Sequence, residues 1–146
     1  PYRVTLEGGD ATRGRRLFAE RADWGCQRCH KLGGDGGEVG PDLTGIGHTR
    51  GREYALQSIL HPNDVIAPGF ESVIIMRRDG STVIGVMKAE RPGELEVESP
   101  EDGRITLRTD DIISRESGIS AMPDGLSDLM TPRDLRDLIE ALSQSP

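Results

Sequence analysis

Apolar positions recur along this chain with two different periods, and the change of period divides it. Gly14, Leu17, Phe18 and Ala22 share one face of a helical pattern, with Arg13, Arg15, Arg16 and Glu20 mostly elsewhere. Asp10 is a suitable N-cap, so a helix is predicted from there to about Ala22. Residues 1–9 read as extended and close on Gly8-Gly9. Arg52 to His61 repeats the helical period, with Ala55, Leu56, Ile59 and Leu60 inward and Pro62 as the stop. A last helix takes Thr131 as cap and Pro132 as its first residue, with Asp134 three residues beyond the cap. There Leu135, Leu138, Ile139 and Leu142 form one stripe, expected to meet the face carrying Gly14 and Phe18.

From Phe70 to about Ser117 the period falls to two. Val73-Ile74-Ile75-Met76 runs into Asp79-Gly80, and Thr82 to Met87 follows. Pro92-Gly93 precedes Leu95 and Val97, Asp102-Gly103 precedes Ile105 and Leu107, and a short pair, Ile112-Ile113, closes the run. Asp-Gly between alternating runs is a strong hairpin signal. The pattern predicts a small, half-buried antiparallel meander of four or five strands.

Two loops remain. Leu32 to Gly47 contains seven glycines but lacks the Gly-Lys-Ser/Thr ending of a phosphate-binding loop. Glycine lets backbone approach a flat ligand closely, and a carbonyl in Gly40-Pro41-Asp42-Leu43 can accept a proton from a nearby imidazole. The second loop, Ser120 to Leu129, holds Ala121-Met122-Pro123-Asp124-Gly125.

Composition sharpens this picture. The chain has 146 residues, enough for one domain with a real core, but only one Trp, two Tyr and two Phe. A bound prosthetic group would supply the large flat apolar body that these side chains lack. With 18 basic and 25 acidic residues the net charge is −7, which argues against nucleic-acid binding and for a partner with a basic docking surface. No apolar run approaches membrane-spanning length. The sequence opens at Pro1 with no initiator Met and reads as a mature product or an excised segment.

The chemistry concentrates in Trp24-Gly25-Cys26-Gln27-Arg28-Cys29-His30. Cys-x-x-Cys-His is the attachment sequence for a c-type haem: two thiols add across the vinyl groups of one porphyrin edge, and the next residue offers an imidazole to iron. Cys26 and Cys29 are the candidate thioether residues and His30 the proximal ligand. A redox dithiol would need a strand meeting a helix, and the Arg-rich helical pattern before Cys26 does not supply one. A structural zinc site would need a fourth ligand from His48 or His61. A Cys26–Cys29 disulfide would leave His30 unexplained. His61 suits the dipole at its helix end, and His48 reads as solvated. Of the methionines, Met76 and Met87 read as core filler in strands, and Met130 as a staple on Leu135. Met122, in a loop with no apolar periodicity to use it, is the candidate distal ligand.

Residues 10–62 and 118–143 resemble a class I c-type cytochrome, through the first helix, Cys26 to His30, Gly40 to Leu43, the helix ending at His61, Met122-Pro123 and the last helix. The whole chain is similar to the planctomycete/verrucomicrobial-type haem-binding domain, in which Ser-Ala-Met-Pro before the last helix supports Met122. The resemblance implies a mainly α cytochrome c fold, three to four helices round a haem, with an inserted β meander (α+β). It makes residues 1–146 one monohaem domain with the insertion at 70–117. It also implies Pro41 as the carbonyl partner of His30 and one covalent haem c. It leaves the insertion open as a docking face, a homodimer contact or a shield over a haem edge.

One-electron transfer is the leading function: the chain is then a carrier, not an enzyme, or the cytochrome domain of a larger dehydrogenase. Haem is attached outside the cytoplasm, so a periplasmic or secreted location follows. The alternative is a gas sensor or peroxidase-like domain with a labile distal ligand. A spacer built around haem ranks last.

Overall fold

Asp10 closes the first helix in the way its side chain allows, accepting the Arg13 backbone N–H at 3.0 Å. In this computed structural model, which describes residues 2–144, the helix is α1, Ala11–Glu20. Before it, Tyr2–Thr5 form a 3-10 helix rather than the extended segment expected, with the Thr5 hydroxyl donating to the Tyr2 carbonyl at 2.6 Å. Packing separates two units: residues up to Val65 with those from Pro123 onward, and Ile66 to Met122.

The first unit is helical. After α1 come a one-turn helix α2 (Cys26–Cys29), a small hairpin of β1 (Lys31–Leu32) and β2 (Asp35–Gly36), α3 (Ile46–Thr49) and α4 (Arg52–Leu60). The glycine-rich stretch from Leu32 to Gly47 is therefore only partly loop. A 3-10 turn, Leu126–Leu129, leads to α5, Pro132–Gln144. The predicted cap forms as a reciprocal pair. Asp134 N–H donates to the Thr131 hydroxyl at 3.1 Å, and Thr131 N–H donates to the Asp134 carboxylate at 3.0 Å.

Helices α1 and α5 meet where Gly14 lies directly on the Asp137 carbonyl, and a Cβ there would also come 2.7 Å from Ala141 Cβ. So Gly14 does face α5, but across the Asp137–Ala141 row and not simply the leucine stripe. Three acids of α5 are buried beside that stripe, at Asp134, Asp137 and Glu140. Each has an arginine. Arg13 forks to Asp134 at 2.5 Å and Asp137 at 2.6 Å, and Arg52 reaches Glu140 at 2.6 Å. Arg13, placed off the apolar face by pattern alone, is thus turned onto α5. A buried carboxylate is tolerated only with such partners.

The second unit is an antiparallel sheet of β3 (Glu71–Arg77), β4 (Thr82–Arg91), β5 (Glu94–Ser99), β6 (Gly103–Arg108) and β7 (Ile112–Ser120). Their order is β6-β5-β4-β3-β7. The first half of β4 pairs with β3 and the second with β5, with a register shift between Met87 and Ala89. Val73, Ile75, Val83, Leu95, Val97 and Leu107 form the core. The Asp79-Gly80 turn forms, with Gly80 at φ 86°. Two expectations need correction. The last strand is not a short pair: it runs nine residues, because backbone pairing with β3 carries the polar run Ser114 to Ser117, which side-chain alternation does not mark. Met76 is not core filler, since it alternates to the outer face with Ile74 and is 46% exposed, whereas Met87 packs partly on the core. The molecule is thus mixed α and β, five helices and a five-stranded antiparallel sheet among the described residues.

Candidate functional site

The site is built on the single turn of α2. Gly25 precedes it in the left-handed region at φ 67°, which lets the chain turn sharply into Cys26. The thiols at i and i+3 then share one helix face. Both cysteines are free and half-buried. Burial raises the Cys26 thiol to about 11 and raises Cys29 as well, with the Arg28 charge opposing in the second case. Neither is a poised thiolate, which argues against a redox dithiol.

His30 ends the turn, its N–H donating to the Cys26 carbonyl at 2.8 Å. The following loop straps back over α2. Gly37 N–H reaches the Gln27 carbonyl at 2.9 Å and Gly40 N–H the Cys29 carbonyl at 2.7 Å. Three glycines make that strap possible. A Cβ on Gly36 would collide with the His30 carbonyl, one on Gly37 with the Arg28 carbonyl, and one on Gly40 with the His30 ring. The glycine content of this loop was visible in the sequence, but which glycines touch which atoms was not.

The Nδ1 of His30 lies 2.7 Å from the Pro41 carbonyl oxygen. A carbonyl only accepts, so Nδ1 carries the proton and the lone pair is left on Nε2. Burial lowers the His30 pKa, with the Pro41 hydrogen bond opposing, so the ring is held neutral. Cys26, Cys29, His30 and Pro41 all belong to the first unit. Met122 is the last residue of the second, half-buried, with its N–H on the Ser120 hydroxyl at 3.2 Å. His48 and His61 are exposed, and His61 lies just past α4 as its C-cap. Among the described residues no group of three or more His, Cys, Asp or Glu side chains is placed to hold a metal ion.

A covalent haem fits these residues. Two reduced thiols share a face, the next imidazole presents Nε2, and the strap leaves no Cβ against the ring. Trp24 adds a feature that the sequence did not signal. Its ring is 4% exposed, the Arg21 guanidinium lies 4.2 Å from the ring centroid, and its indole N–H is buried without a partner among the described residues. A buried donor left unpaired calls for an acceptor supplied from outside the chain.

No curated protein matches the chain. Residues 11–82 match a family model described as Cytochrome c. The match covers α1 to the start of β4 and ends before Met122 and α5.

Proposed function

Because the chain carries a cytochrome c domain, and with it a covalently bound haem, we propose that it transfers single electrons and that His30 and Met122 would hold the iron. When bound, haem supplies the one-electron redox centre. The residues of the chain do the rest. Cys26 and Cys29 would hold the group through thioethers, and His30 would offer Nε2 to the iron. Pro41 fixes the tautomer that makes Nε2 available, and also raises its basicity. Met122 would supply its sulfur as the second iron ligand. It is a neutral, polarizable ligand, which raises reduction potential relative to nitrogen-only ligation. The observation that carries the reading is the His30 Nδ1 to Pro41 hydrogen bond of 2.7 Å, directly after two reduced cysteines on one turn.

A carrier needs redox partners, and the net charge of −7 suits one with a basic docking surface. Covalent haem attachment outside the cytoplasm makes a periplasmic or secreted location part of the proposal. So is a role as the cytochrome domain of a larger dehydrogenase, with the β sheet as a docking or homodimer surface. Among the described residues no helix is long and apolar enough to cross a membrane.

Absorption spectra of the ferric and ferrous protein, with and without carbon monoxide, test the reading. Low-spin spectra that carbon monoxide leaves largely unchanged are expected. Fast, stoichiometric binding of the gas to the ferrous form would replace electron transfer with the gas-sensor or peroxidase-like alternative.

A further inference from the structure

We propose that Ser72 and Asn63 are positioning residues that fasten the Met122 loop on both sides of its sulfur and so exclude small competing ligands. The inference rests on Met122 as an iron ligand and deepens that reading. Before Met122, the buried Ser72 of β3, 4% exposed, donates its hydroxyl to the Ile119 carbonyl near the end of β7. Gly118 leaves that hydroxyl its place, since a Cβ there would collide with Ser72 Oγ. Glu71 pairs with Ser120, and the Ser120 hydroxyl accepts the Met122 N–H at 3.2 Å. After Met122, the Asn63 amide donates to the Asp124 carboxylate at 2.8 Å. Asn63 lies in the turn that follows α4, closed by Asp64 N–H on the His61 carbonyl at 3.1 Å. The Ser72 anchor lies within the sheet unit and the Asn63 anchor within the helical one.

Pro123 carries the second anchor to Met122. Its ring fixes its own φ and holds the residue before it out of the helical region, so the stretch from Met122 to Asp124 has little freedom. Beyond it, Leu126 is buried and its 3-10 turn packs on α4. A small ligand can take the place of the sulfur only when the loop is open. Its apparent affinity is therefore its intrinsic affinity multiplied by the open fraction. A hydrogen bond made only in the closed loop lowers that fraction, and one such bond is worth roughly a 3- to 10-fold change. Neither residue marks itself in the sequence: 47 residues separate Ser72 from Ile119 and 61 separate Asn63 from Asp124.

The test titrates imidazole into the haem-loaded ferric protein and its Ser72→Ala, Asn63→Ala and Ser99→Ala variants. Ser99 is the control, a second buried serine of the sheet whose hydroxyl accepts the Glu101 and Asp102 N–H groups at 3.3 Å. It ends β5, with β4 and β3 between it and β7 in the strand order. Ser72→Ala and Asn63→Ala should each bind imidazole roughly 3- to 10-fold more tightly than the parent, and exchange the Met122 amide hydrogen faster by a similar factor. Ser99→Ala should lower the unfolding midpoint in denaturant and leave imidazole affinity unchanged. Asn63 is exposed, so its variant reports even where loss of the buried Ser72 hydroxyl prevents folding. Variants that bind imidazole like the parent, or a Ser99→Ala protein that gains affinity as they do, would overturn the anchors and leave Met122 ligation standing. A parent protein that binds imidazole as tightly as Met122→Ala does would overturn the ligation and the anchors with it.

Discussion

Gly40 sits against the ring of His30 so closely that a Cβ would come 2.6 Å from Nδ1, the atom that Pro41 holds. The loop thus fixes the imidazole from its side as well as from its Nδ1 edge. Gly40→Ala should displace the ring and strain the Pro41 hydrogen bond. The haem should stay attached through Cys26 and Cys29, with a shifted reduction potential and altered ferric spectrum. Mass spectrometry checks attachment, and potentiometry checks the shift. A variant with the parent's potential and spectrum would show that the glycine is not needed.

Removing the proposed sulfur ligand separates attachment from ligation. Met122→Ala should keep its covalent haem but lose the low-spin spectrum and bind carbon monoxide readily in the ferrous state. Met130→Ala is the control, and should keep the parent spectrum. An unchanged low-spin spectrum in Met122→Ala would move the ligand elsewhere.

The contact of Gly14 with the Asp137 carbonyl leaves no space for a methyl group. Gly14→Ala should destabilise the protein by about 1–3 kcal/mol, since the obstacle is backbone and not a flexible side chain. Denaturant unfolding followed by far-UV circular dichroism measures it. The same experiment on Thr131→Ala should show a loss of about 1 kcal/mol, from the reciprocal cap with Asp134.

Acid should loosen the helical unit in a defined window. Burial raises the Asp134 and Asp137 carboxyls, but hydrogen bonds from the Thr131 and Asp10 N–H groups respectively, and from Arg13 to both, outweigh it and leave both lowered. The Arg52 hydrogen bond lowers Glu140 despite its burial. The unfolded chain therefore takes up protons at higher pH than the folded one. The stability these groups add is full above the ordinary carboxylate range, about 4, and declines as pH falls through and below it. Unfolding midpoints measured from neutral pH downward should show this decline, and Asp137→Asn should flatten it.

Much of the site was legible because it is local. Cys26, Cys29 and His30 are fixed by spacing within one turn, and Asp10, Thr131 and Asp134 act on backbone groups three residues away. The Asp79-Gly80 turn is equally local. Such features need no knowledge of what lies across the fold, so the order of residues carries them.

The rest depended on neighbours far along the chain. Asp134, Asp137 and Glu140 look like a solvated helix edge until Arg13 and Arg52 are brought onto them. Met76 and Ile75 are equally apolar, and only the pleat decides that one is 46% exposed and the other fully buried. The length of β7 is set by the backbone of β3, to which alternation of side chains is blind. By itself the sequence determined the Cys26–His30 spacing, the helix caps and the change from helical to strand period, because short-range geometry and solvation dictate them. Only the tertiary structure decided which glycines press on α2 and His30, and which charges are buried in pairs. Those outcomes arise from close packing between distant segments, where each side chain's surroundings are chosen by the fold and not by its neighbours in sequence.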